Sequence, residues 1–188
     1  SPNSSTIINL FDIEIERTKD EITGRERDAL NVENKVEDVT QALMTMAKGS
    51  TKTEVVNEVT KQIIAEAVAE EYAEKGITSN PNSVYETTNN RQNAFEKRKK
   101  EMPTIGSWYK RIQNKAAENT NHDYNFHYSY LLKVMKQYIR EYDGQMAYFD
   151  GQSTFELLDG APFINLDISQ LEERFARPLA QQILLSWI

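Results

Sequence analysis

Two histidines, His122 and His127, flank Asp123, and they are the obvious first place to look for metal chemistry in this chain of 188 residues. A metal pair carried on one helix face needs ligands three or four positions apart. Here the separation is five and crosses a predicted loop at 119–123, so these side chains read as solvated or helix-capping groups. The run Lys97-Arg98-Lys99-Lys100, with Arg91 one to two turns earlier, carries more chemistry. On a short helix over 91–101 these five cations could meet DNA phosphates or an acidic protein face, with a steep dependence on salt. The plainer alternative is a solvated helix face. Trp108, Tyr109, Tyr124, Phe126, Tyr128 and Tyr130 follow closely and could stack on bases, although the helical spacing of several points to core packing. Asp12, Asp150, Asp159 and Asp167 are potential acids, bases or metal ligands. Each sits at a predicted strand end or turn, where aspartate commonly bonds its own backbone.

Several chemistries are excluded by what the sequence lacks. A phosphate-binding loop needs a Gly-x-x-x-x-Gly-Lys-Ser/Thr pattern so that backbone N–H groups can cradle phosphate, and no such pattern occurs. No apolar strand ends in an Asp-Glu pair that would position magnesium and water, and no Gly-x-Ser-x-Gly elbow is present. With no cysteine, a disulfide framework, a thiolate zinc site and a cysteine nucleophile are all ruled out. No catalytic, cofactor-binding or metal-ligating residue is therefore assigned to this segment.

The elements that would carry these groups are mostly helices. From Phe11 to Glu16 apolar and acidic residues alternate, which suits a half-buried extended segment; 17–25, charged and containing Gly24, reads as a loop. A long helix is predicted over 26–48, with Val32, Val36, Val39, Leu43 and Met46 in one stripe and Gly49 as its stop. Thr51 and Glu54 have capping-box spacing, and Val56, Val59, Ile63, Ala67 and Val68 line the second helix up to Gly76. Such a pair suggests an antiparallel helix hairpin. A loop over 77–90 leads to the basic helix, which Pro103 stops. Thr104 caps a helix with Ile105, Trp108 and Ile112 on one face, and a further helix over 126–142 carries Tyr128, Leu131, Leu132, Met135, Tyr138, Ile139 and Tyr142. Beyond Gly144 the pattern changes. Asp150-Gly151 signals a hairpin between 146–149 and 152–155, 162–168 reads as a strand, Ser169 and Glu172 open a helix, and Pro178 starts another. The fold class is mainly α: a helical block over 26–142, preceded by an extended segment over 1–25 and followed over 143–188 by a hairpin, strand and helix.

Composition fits a globular chain, with 39% hydrophobic and 27% charged residues. Charge is uneven within the net −7. Residues 1–80 carry 9 basic and 16 acidic side chains, 81–140 carry 11 and 5, and 141–188 carry 2 and 8. An anionic partner is therefore drawn to the middle third. Leu184, Leu185, Trp187 and Ile188 close the chain inside an uncapped apolar pattern, which suggests a piece of a longer protein and a sticky helix prone to self-association.

The order of short motifs resembles one family. Ile8-Asn9-Leu10-Phe11-Asp12 is similar to the Asn-x-Phe-Asp segment of the VirB/TraC-type ATPases, the conjugation and type IV secretion motors of the HerA–FtsK superfamily. The helical block resembles the all-α subdomain inserted in their RecA-like α/β core. Phe149-Asp150-Gly151-x-x-Thr154 and Phe163-Ile164-Asn165-Leu166-Asp167-Ile168-Ser169 resemble the return to that core, and 178–188 the helix before its second nucleotide-binding motif. The resemblance implies an intact ATPase using ATP and Mg2+, with its phosphate loop before Ser1 and its acidic pair after Ile188. It implies a cytoplasmic location at the inner face of the cell membrane, within a transfer complex and with peripheral membrane association. This segment would then touch its own ATPase core, neighbouring subunits, other secretion or coupling proteins, or DNA. Two other readings need only the helices: a stand-alone interaction module, and a non-specific DNA-binding domain built on 91–115, which the overall acidity opposes.

Overall fold

The structure, a computed structural model, describes residues 7–49, 56–87 and 97–154. They form a mainly helical assembly with one small antiparallel sheet: β1 (Glu16–Lys19), β2 (Glu26–Ala29), α1 (Val32–Lys48), α2 (Glu58–Glu74), α3 (Ile105–Glu118) and α4 (His122–Val134). The mainly α fold class follows directly from these elements.

Local chemistry explains where the helices begin. Asn31 caps α1 by accepting from the Asn34 N–H, and Gly49 ends it at φ 55°, a backbone angle that suits glycine. Thr104 caps α3 through a reciprocal bond with Ser107. Of the α1 stripe, Val39, Leu43 and Met46 are buried while Val32 and Val36 pack at the margin. Ile63, Ile64, Ala67, Val68 and Tyr72 bury one side of α2, and Ile105, Trp108 and Ile112 are fully enclosed on α3. Each large apolar side chain buried in this way contributes about 1.5–3 kcal/mol. Leu131 of α4 and Met135, just beyond it, complete the layer, so one apolar cluster runs from Ile8 to Phe149.

Several expectations about the elements need correction, among them the helix start near 126, which lies at His122. The stretch read as a loop over 17–25 is most of a β-hairpin, with Arg17 opposite Asp28 and Thr18 opposite Arg27. Its turn is built by the Asp20 carboxylate, which accepts from the N–H groups of Ile22 and Thr23 at 2.8 and 2.9 Å, and by Gly24 at φ 68°. As a result α1 starts at Val32, not near 26. The box that opens α2 is Asn57 with Thr60, so Val56 is buried ahead of the helix; residues 51–54 lie outside the described residues. The helix expected to run to Tyr142 ends at Val134 and continues as two tight 3₁₀ turns, Met135–Tyr138 and Arg140–Tyr142. Gly144 lies so close to the Gln137 carbonyl that a side chain there would overlap it. Finally, the Asp150-Gly151 hairpin is absent: Ala147–Phe149 is a 3₁₀ turn. The strand at 162–168 and the helices from Ser169 and Pro178 lie outside the described residues, as does the apolar C-terminal patch.

Candidate functional site

The segment before the helices and the segment after them meet along one seam. Ile8 N–H donates to Tyr148 O at 3.2 Å and Thr154 N–H to Ile7 O at 3.2 Å. Ile7 N–H donates to Thr154 Oγ1 at 3.1 Å, and Asn9 N–H to Ser153 Oγ at 3.0 Å. Ser153 in turn donates its hydroxyl to Asp12 Oδ2 at 2.5 Å. Asn9 is fully buried, yet its polar atoms are satisfied. Its Oδ1 accepts from the Phe11 N–H at 3.0 Å and its Nδ2 donates to Pro103 O at 2.8 Å. Tyr72 of α2 fixes the same turn by donating to Phe11 O at 2.7 Å.

Asp12 has a perturbed proton affinity. Burial raises its pKa above 3.8, against the opposing pull of the Ser153 hydroxyl and the cations of Lys99 and Lys35. Lys35, on α1, is shifted downward by its own burial despite the nearby carboxylates of Asp38, Asp12 and Glu14. The Tyr72 phenol is pushed well above 10.0, first by burial and then by Asp12 and Asp38. These groups form a packed polar layer that holds the seam together.

Asp150, expected at a turn and weighed as an acid, base or metal ligand, joins three parts of the chain. Its Oδ1 accepts from the Gly106 N–H at 2.9 Å, in the first turn of α3. Its Oδ2 accepts from the Arg140 N–H at 2.7 Å, and Arg140 Nε donates back to Asp150 O at 3.1 Å. A carboxylate at a helix N-terminus meets both free N–H groups and the positive end of the dipole. Gly106 is small for this reason, since a Cβ there would stand 2.7 Å from Asp150 Oδ1. Sequence reading missed both Gly106 and Arg140. The available signal was a glycine just inside a well-capped helix, where it costs about 0.5–1 kcal/mol unless a close approach requires it.

The basic run does not form a helix. Residues 97–100 are extended, and Lys99 bridges Tyr85 antiparallel. Glu86 N–H donates to Arg98 O and Lys100 N–H to Val84 O, each at 2.7 Å. Successive side chains on an extended segment point to opposite faces, so the four cations are divided instead of forming one stripe. Two are committed to the chain itself. Lys99 Nζ reaches Ile13 O at 3.0 Å and Glu14, and Lys100 Nζ reaches Lys75 O at 2.9 Å, at the C-terminus of α2. Lys97 lies 5.2 Å from the centre of the Tyr85 ring. Glu74, Glu86 and Glu101 share a cleft of about 470 Å³ with Arg98, Lys99 and Lys100, which offsets much of the positive potential. Arg91 falls outside the described residues, together with Asp159 and Asp167.

Most of the remaining candidates resolve into packing. His127 Nδ1 lies 2.9 Å from Thr60 Oγ1, His122 is the first residue of α4, and no metal-holding group occurs among the described residues. Trp108, Tyr109 and Tyr128 are buried, whereas Phe126 is 60% exposed. An ion-pair cluster between α2 and α3 was also unforeseen. Arg111 contacts Glu70, Glu71 and Glu74, and Lys115 lies 2.6 Å from Glu70. Among the described residues no helix is long and apolar enough to cross a membrane. Comparison with known proteins adds no relative: no family model, curated protein or solved structure matches the chain.

Proposed function

We propose that the chain is the helical subdomain of a conjugative-transfer or type IV secretion ATPase, serving contacts with DNA, a coupling protein or neighbouring subunits and not the chemistry itself. The observation that carries this reading is the seam. The motifs behind the family resemblance lie far apart in sequence, yet Asn9, Asp12, Asp150 and Thr154 all sit within it or against it. A helical block inserted in a larger fold needs its incoming and outgoing segments side by side, and 7–12 and 148–154 are bonded to one another directly. On this reading ATP and Mg2+ belong to the intact motor and are held by residues beyond this chain, and the protein works at the cytoplasmic face of the membrane. Within the basic run Lys97 and Arg98 are the cations left to reach an anionic partner, because Lys99 and Lys100 are engaged by carbonyl groups. The coding sequence on either side of the chain is the test. A phosphate-binding loop upstream and an apolar strand ending in Asp-Glu downstream are expected, and a reading frame lacking both overturns the proposal.

One observation favours a second reading, a self-contained helical interaction module. The apolar cluster from Ile8 to Phe149 is continuous and encloses Trp108, Tyr72, Phe11 and Phe149 almost completely. A core closed to this degree could sustain an independent domain. Such a module would keep its partners in a protein whose reading frame carries no nucleotide-binding motif.

A further inference from the structure

We draw no further inference here: the strongest candidate, the exposed Phe126 ring on α4, stacked on the half-buried Tyr130 with centroids 6.4 Å apart, is an apolar patch for which nothing in the structure shows what covers it.

Discussion

Replacing Asp150 with alanine removes one carboxylate and strands two backbone N–H groups, those of Gly106 and Arg140. A hydrogen bond to a charged acceptor contributes about 1.5–3 kcal/mol, and a carboxylate at a helix N-terminus adds roughly 0.3–1 kcal/mol. Taking the lower half of these ranges for the two bonds and the dipole together, Asp150→Ala costs about 3–5 kcal/mol, a large part of the roughly 5–15 kcal/mol that holds a domain folded. Gly106→Ala attacks the same contact from the other side. Its new Cβ would stand 2.7 and 3.1 Å from the two Asp150 oxygens, so the carboxylate must move, at about 1–3 kcal/mol. Once Asp150 is alanine the obstruction is gone, and alanine is better than glycine inside a helix by roughly 0.5–1 kcal/mol. The same substitution therefore changes sign with its background: destabilising in the native chain, stabilising in Asp150→Ala. Urea titrations of the four proteins, followed by helical circular dichroism, measure this coupling directly. Equal costs for Gly106→Ala in both backgrounds would refute the claimed contact.

The seam makes a pH prediction whose sign follows from Asp12. Because burial raises its folded pKa above the unfolded value, Asp12 favours folding most when protonated, and that contribution disappears as pH rises through the folded pKa. Asp12→Asn can still accept from Ser153 and carries no charge, so its melting temperature at neutral pH should equal or exceed that of the native chain. Its stability should also be flatter than the native profile just above the ordinary aspartate range, and an unchanged slope would count against a desolvated Asp12. Tyr72→Phe removes the donor to the Phe11 carbonyl and is expected to cost about 1–3 kcal/mol by leaving a buried acceptor unpaired; a loss below about 0.5 kcal/mol would show that water takes over the bond. Charge reversal at Lys97 and Arg98 should lower the salt concentration at which the protein leaves a DNA column, and unchanged elution removes this segment as a DNA contact. Calorimetric titration of the chain with ATP should show no micromolar binding.

Which parts of this fold were legible in the sequence depends on how far apart the deciding atoms lie. The start of α3 was readable because everything that sets it is local: Thr104 reaches Ser107 three residues on, and Ile105, Trp108 and Ile112 repeat at helical spacing and are fully enclosed. The start of α2 was misplaced because two boxes compete within ten residues. Thr51 and Glu54, outside the described residues, match the usual sequence pattern, but the box that opens α2 is Asn57 with Thr60, a threonine hydroxyl doing what glutamate usually does. Charge alternation along β1 and β2 gave no hydrophobic periodicity to read, so their hairpin rests on turn chemistry at Asp20 and Gly24.

The basic run and Asp150 fail for a deeper reason. Four consecutive cations look alike on a helix or a strand; the choice is made by Val84 and Glu86, whose backbones claim Lys100 and Arg98. Asp-Gly marks a turn whether or not its flanks pair, and here the carboxylate is satisfied by N–H groups 44 and 10 residues away. Had the flanks paired as a hairpin, Asp150 would have bonded its own turn, and the first turn of α3 would have lost its acceptor. Gly106 is the residue that connects the two facts. A glycine one position inside a capped helix is unfavourable by propensity and is not needed for a positive φ, so its value must lie in the close approach of another group. That inference was available from the sequence, but the identity of the approaching group was not, because no short-range pattern links Gly106 to Asp150.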